Sequence, residues 1–424
     1  MNKRGYLEKL LDGEEVEWKT LGEVCEIKNG YTPSKSKKEF WEGGSIPWFR
    51  MDDIRQNGRI LDDSLQKITR EAIKSGKLFP ADSIIMSTTA TIGEHALITR
   101  DFLCNQQLTV LSVKDKSKKY LHYKYLFYYS FILSDLCRKN TNPGGFALIG
   151  TTKVKAFQIP IPCPSNPKKS LSIQGEIVRI LDAFTSLTAE LTAELTAELT
   201  MRKKQYNYYR NKLLTFEDGE VEWRALGELG QLIRGNGLPK KDFTETGVPA
   251  IHYGQIYTYY GLSADSTISF VSHETAERLK KVNKGDVVIT NTSENFEDVG
   301  TAMVYLGEEQ AVTGGHATIF KPSVKILGKY FAYFTQTSAF QKAKKKYAKG
   351  AKVIDVSAND MSKIYVPIPS PAEQSRIVSI LNKFDALTYS ISEGLPREIN
   401  LRQKQYEYYR DQLLSFPKPA EVSA

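Results

Sequence analysis

The side chains best suited to chemistry in this 424-residue chain are base-edge donors and acceptors rather than catalytic acids or nucleophiles. In the first half, Arg50, Thr88, Thr89, Asn105 and Gln106 lie in polar stretches between apolar runs; Arg234, Asn236, His252, Gln255, Asn291 and His316 do so in the second. Guanidinium, amide, imidazole and hydroxyl groups can match the hydrogen-bonding pattern of base edges. Lys35, Lys240 and the basic run 341–350, with Lys344 and Lys345 at its centre, add cations suited to phosphate contact. The plainer reading of the run is a solvated helix face, and each polar residue taken singly is an ordinary surface residue.

Motifs for other chemistries are missing. There is no G-x-x-x-x-G-K-[ST] phosphate loop, and Gly235-Asn236-Gly237 is too short to cradle a dinucleotide. Asn142-Pro143-Gly144-Gly145-Phe146 comes nearest to the Asn-Pro-Pro-aromatic methyltransferase signature and reads as a loop. Asp52-Asp53 and Asp62-Asp63 read as solvated turns. The five histidines are scattered, which predicts no metal site, and Cys25, Cys104, Cys137 and Cys163 lack C-x-x-C spacing and read as reduced thiols. A binding protein fits better than an enzyme, although an unfamiliar catalytic site is a rival reading. Net charge is +9 and pI about 9.0, which favours a polyanion partner. With no apolar run near 18 residues and no signal-like N-terminus, the chain is expected to be cytoplasmic, without a membrane partner.

What would hold these residues in place is a repeated helix. Met201-Arg202-Lys203-Lys204-Gln205-Tyr206-Asn207-Tyr208-Tyr209-Arg210 returns 200 residues later as Leu401-Arg402-Gln403-Lys404-Gln405-Tyr406-Glu407-Tyr408-Tyr409-Arg410. The same shift maps Ile177, Ile180, Leu181, Phe184 and Leu187 onto Ile377, Ile380, Leu381, Phe384 and Leu387. Steps of four and three from Ile173 through Leu191 form a heptad seam. Three Leu-Thr-Ala-Glu tetrads from Leu187 hold the step at four, a run of stutters. Two such seams most simply pack on each other; the alternative lays each helix on its own globular domain. Gly394-Leu395-Pro396 predicts a kink in the second copy, and Ser370 with Glu373 predicts a capping box at its start.

The repeat is also circular. Tyr6-Leu7-Glu8-Lys9-Leu10-Leu11, leading to Val16-Glu17-Trp18, echoes Tyr209 to Leu214, leading to Val221-Glu222-Trp223. The predicted organisation is an N-terminal repeat segment (1–20), a globular domain (21–158), a central helix (168–216), a second globular domain (217–365), a C-terminal helix (370–416) and a tail (417–424). The domains end at Ile159-Pro160-Ile161-Pro162 and Val366-Pro367-Ile368-Pro369, stiff stretches that cannot lie in a helix or central strand. The fold class is α+β: two similar mixed α/β domains separated by two long helices, paired as an antiparallel coiled coil with approximate two-fold, circular symmetry. The helices are alike and the domains have diverged, as a fixed scaffold carrying two different readers requires.

The proline boundaries, the Gln174/Gln374…Ile-Val…Ile-Leu…Phe helix starts, the Tyr-x-Tyr-Tyr-Arg helix ends and the tandem tetrads together resemble the specificity subunits (HsdS) of type I restriction–modification systems, the tetrads those of the type IC family. The resemblance covers nearly the whole chain. It implies two target-recognition domains, each reading one half of a split, asymmetric site in double-stranded DNA. The helices would set the spacer and dock two modification subunits that carry S-adenosylmethionine and methylate adenine N6. Two restriction subunits would add ATP- and Mg-dependent translocation and cleavage. The chain itself would be non-catalytic and bind no cofactor. Among helix-end residues, Arg202, Tyr206, Arg402 and Tyr406 are the expected partner contacts, with seam-filling as the other reading of the tyrosines. The rival is a coiled-coil scaffold protein without sequence-specific DNA reading.

Overall fold

The computed structural model describes residues 5–141, 147–217, 219–390 and 393–418. The 142–146 stretch read above as a loop, and all but the first two residues of the tail, lie outside the described residues. The chain forms two compact units, Met1–Leu191 with Arg402–Ala424, and Thr192–Leu401. The end of the chain thus belongs to the same unit as its beginning, as the circular repeat predicts.

In the first unit a five-stranded sheet has the order Cys25–Asn29, Leu108–Val113, Ser83–Ser87, His95–Ile98, Ile60–Leu61. Its neighbours are antiparallel except the last pair, which is parallel. The apolar runs at 83–86 and 108–111 are its central strands. A second sheet orders Lys67–Ile68, Ile46–Phe49 and Leu103–Cys104. The aromatic helix Tyr123–Lys139 buries Tyr125, Leu126, Tyr129 and Leu133 in the core.

The second unit repeats this plan. Gly230–Arg234, Ala317–Pro322, Val287–Thr290, Ala302–Tyr305 and Ser263–Ala264 form the five-stranded sheet, again with one parallel pair at the end. The second sheet orders Phe243–Thr244, Ser269–Val271, Val248–Ile251, Ala311–Thr313 and Lys280–Val282, adding a strand at each edge.

The proline stretches are strands after all, in two-stranded ribbons where neither strand is central. Val16–Thr20 pairs with Gln158–Pro162, and Glu222–Ala225 with Tyr365–Ile368. Trp18 opposes Pro160 and Trp223 opposes Pro367, one register used twice. The missing proline N–H groups are tolerated at such edges. Each motif also offers a carbonyl inward: buried Tyr125 donates to Pro160 O at 3.0 Å, and buried Tyr330 to Pro367 O at 2.9 Å.

The first long helix runs unbroken for 47 residues, Pro167–Leu213. The second copy is divided into Pro371–Thr388 and Gly394–Leu414. Gly394 has φ +72°, and a Cβ there would lie 2.5 Å from Ala386 O, so glycine fits where the kink is predicted. At Ser370 the cap forms but the box does not: Ser370 Oγ accepts from Glu373 N at 3.3 Å, while the Glu373 carboxylate turns to Arg376.

Both packing alternatives have a share in the structure. Ile173, Ile177 and Leu181 join the core of the first unit, and Ile377 and Leu381 that of the second. Further along, the repeats meet inside each unit. In the first, Phe184 lies 5.7 Å from Tyr409, and the Thr185 and Tyr406 hydroxyls are 3.1 Å apart. In the second, Phe384 stacks on Tyr209 at 5.6 Å, and Tyr389 lies 5.7 Å from Tyr206. Numbers rise on one segment as they fall on the other, so each pairing is antiparallel. No helix among the described residues is long and apolar enough to cross a membrane.

Candidate nucleic-acid interface

The candidate residues are positioned by the junction between the two sheets of each unit, and the junction is built alike in both. In the first unit Phe49 pairs in parallel with Cys104; in the second, Ile251 pairs with Thr313. The next residues are Arg50 and His252. Each precedes a short helix and donates its backbone N–H to a side chain three residues on: Arg50 to Asp53 Oδ2 at 2.6 Å, His252 to Gln255 Oε1 at 3.3 Å. The partner strand turns through Asn105-Gln106-Gln107 in one unit and Gly314-Gly315-His316 in the other. Thr88 N then donates to Gln107 O, and Asn291 N to His316 O.

These equivalences correct part of the sequence reading. Thr88 and Asn291 occupy the same position, and both are buried, at 3% and 0% exposure. The Thr88 hydroxyl lies 2.9 Å from that of Thr109, and Thr318 Oγ1 donates to Asn291 Oδ1 at 2.8 Å. They tie the sheet together and face no solvent. The Thr89 hydroxyl is also buried, with no hydrogen-bond partner among the described residues. Gln255 spends its amide on the His252 backbone and on Ser269 Oγ at 2.6 Å, a capping role.

Four of the other first-unit residues come together. Lys35, Arg50, Asn105 and Gln106 line one open cleft of about 740 Å³, with Gln107 and Trp41. Arg50 stacks over Trp48 at 5.8 Å, and Trp41 meets Trp48 edge-on at 5.0 Å. Thr32 Oγ1 donates to Gln106 Oε1, and Asn105 Oδ1 accepts from Gln107 N at 3.2 Å. Gln107 and Trp41 escaped the sequence reading. Aligning Leu103–Leu108 by number on 312–317 would have exposed Gln107 as the partner of His316.

In the second unit the rim holds His252, His316, Arg234 and Asn236. His252 Nδ1 accepts from Gly254 N, which leaves the ring proton on Nε2. Burial chiefly, and then the nearby Lys240 ammonium, hold its pKa below the usual histidine value. His316 lies exposed, Nδ1 2.7 Å from Thr292 Oγ1 and its ring 4.8 Å from Tyr253. Arg234 donates to Gly315 O and Asp355, and Asn236 to Arg278 O, which fixes both. Lys240 is exposed nearby in sequence.

In the basic run, Lys345 is exposed but Lys344 is not. Lys344 is 0% exposed and donates to Phe296 O at 2.9 Å and Val299 O at 2.5 Å, with its ammonium 4.5 Å from the Phe296 ring. Burial lowers its pKa to about 8. It anchors the loop before Gly300 and is withdrawn from phosphate contact, because the periodicity of its helix turns it inward.

The helix ends divide similarly. Tyr206 is 1% exposed, with its hydroxyl on Gln336 Oε1 at 3.2 Å, so it fills the seam. Tyr406 is half-buried against Thr185. Arg202 pairs with Glu198 and Gln205 on its own helix, and Arg402 donates to Gln405 Oε1. The most exposed tyrosines of the repeated motif are Tyr208 and Tyr408, each at 60%, ahead of Tyr209 and Tyr409. Among the described residues no group of three or more His, Cys, Asp or Glu could hold a metal ion.

Two globular units of one topology, each with its own polar rim, mark a class of paired-domain recognition proteins. The chain matches the model of the type I restriction modification DNA specificity domain twice, over residues 13–201 and 219–401. It is 44% identical over 402 residues to the EcoprrI specificity subunit of Escherichia coli, covering 93% of each chain. It is 38% identical over the full length of both chains to the Escherichia coli EcoR124I/EcoR124II specificity subunit. The HsdS subunit of Thermoanaerobacter tengcongensis shares its fold, with a TM-score of 0.52 at 16% identity over 94% of this chain and 96% of that one. A chain from a structural study of type I system assembly superposes with a TM-score of 0.66, also at 16% identity, over 94% and 97%. The chain belongs to the family of type I restriction–modification specificity subunits.

Proposed function

We propose that the chain is the DNA sequence-specificity subunit of a type I restriction–modification complex, each unit reading one half of a bipartite, asymmetric site. The observation that carries this is the contrast at the rims: one backbone junction, used twice, presents Arg50-Asn105-Gln106-Gln107 in one unit and His252-Gly314-Gly315-His316 in the other. On this reading the recognition domains are residues 21–158 and 217–365, and the likeness of the tandem tetrads to those of the type IC group supports membership of that group. The relatives' naming as specificity subunits gives the chain a non-catalytic role. Adenine-N6 methylation with S-adenosylmethionine, and ATP- and Mg-dependent cleavage, belong to two modification and two restriction subunits. The repeated helix ends dock the modification subunits, through Tyr208 and Tyr408 together with Arg202, Arg402 and Tyr406. A scaffold role without DNA reading has no support from the relatives. The test is to map methylated adenines in DNA exposed to the chain with its modification subunits. A two-part motif with an unread gap is expected; methylation without sequence preference, or at one undivided site, overturns the proposal.

A further inference from the structure

Resting on that reading, we infer that Arg50 reads a guanine in the half-site of the first unit, and that His252, its structural counterpart, reads a different base in the other half. Arginine matches guanine because its fork donates to O6 and N7 together in the major groove. Several features preset Arg50 for this. Its backbone is pinned by Asp53, a fully buried carboxylate whose second oxygen accepts from Leu65 N at 2.6 Å. Its guanidinium lies over Trp48, which costs it little freedom when it engages a base. The Nε atom is buried with no hydrogen-bond partner, and the nearest carboxylate, Asp52, is 3.6 Å from Nη2. With Nε out of reach, the donors on offer to a base are the two Nη groups, held in the cleft with the exposed Asp52 ion pair to exchange for it. Beside it Lys35 and Lys38 supply phosphate contacts that position without reading sequence. The neighbouring amides are less free, since Gln106 already accepts from Thr32 and Asn105 from Gln107 N. At the matching position of the second unit, His252 offers a single Nε2–H donor and no fork.

The experiment measures binding of the assembled methyltransferase to duplexes carrying each single base-pair change in the mapped site. The half-site of the first unit is the one that follows residues 21–158 on exchange. Arg50→Ala should lose roughly ten- to hundredfold discrimination at one G·C pair of that half and leave the other half unchanged. Arg50→Lys should lose most of it too, because a point charge cannot replace a fork. Lys35→Ala should weaken all duplexes alike and flatten the salt dependence. His252→Ala should relax one pair in the opposite half. The Asp53 contact uses only the backbone of residue 50, so the Arg50 variants should melt like the parent. If Arg50→Ala and Arg50→Lys keep the parent's discrimination at every pair, or weaken all duplexes equally, the inference is wrong. A parent indifferent to every base-pair change would instead refute the recognition function itself.

Discussion

The two units share a sheet order, a ribbon register and even the hydrogen bonds at the sheet junction, yet almost no side chain on the rim is common to both. Inside, Thr88 with Thr109 and Asn291 with Thr318 make the same tie with different groups. Outside, an amide-rich turn stands where the other unit has two glycines and a histidine. The comparison teaches that the junction is fixed by backbone hydrogen bonds, which constrain buried positions tightly and leave the next residue outward free to change. The units differ in breadth as well, since the second sheet has three strands in one and five in the other.

The largest effect should come where the units are most alike. Tyr125→Ala and Tyr330→Ala each remove a fully buried ring and its bond to a proline carbonyl. Each should destabilise its own unit by about 3–5 kcal/mol. Denaturant unfolding with hydrogen exchange resolved by unit checks this; a large loss from one and none from the other would break the equivalence.

A smaller, geometric effect is expected in the tetrads, which lie mid-helix. Leu187 is exposed, and Leu191, Leu195 and Leu199 are half-buried. Deleting Thr192 to Leu195 removes about 6 Å of helix and about 400° of turn, a net rotation of about 40°. A base pair of DNA advances by about 3.4 Å and about 35°. Rotation matches one pair while length would allow nearly two, and DNA absorbs a small length mismatch more easily than a reader absorbs the wrong groove angle. The unread gap should shorten by one pair with both halves unchanged. An unchanged gap in an active complex would reduce the tetrads to helix-forming filler.

The smallest effect separates the units by pH. His95, buried among Phe127, Phe131 and Gly93 O, has its pKa pushed down from 6.5 to about 3, chiefly by burial. The unfolded chain then takes up a proton the native unit refuses, so the first unit should lose stability as pH falls below 6.5. Lys344 is lowered from 10.5 to about 8. Between those values the unfolded chain again holds the extra proton, so the second unit should gain stability as pH rises from about 8. Unit-resolved hydrogen exchange should show stability rising with pH in both units but in separate windows, below 6.5 in the first and above about 8 in the second, and His95→Gln and Lys344→Met should flatten the respective slopes. Slopes unaffected by the substitutions would contradict the assignment.

Much of the fold was legible because repetition is a signal that needs no propensity scale. The 200-residue shift, the proline motifs and the Gly394 break all have structural counterparts. The candidate interface was legible only in part. Lys35, Arg50, Asn105 and Gln106 meet in one cleft. Thr88, Asn291 and Lys344 do not face solvent, because one residue of strand register or a third of a helical turn decides between core and surface. Residue type alone carries no such phase. Tyr206 was hidden for the same reason, whereas Tyr208, two residues on, is exposed.

The central claim, two independent readers on one repeated frame, is tested most directly by exchange. Residues 21–158 are replaced by the corresponding segment of a relative with a different target, and methylated adenines are mapped with the modification subunits present. The account predicts that one half of the motif changes to the donor's, while the other half and the gap stay as they were. A change in both halves of the motif would contradict it.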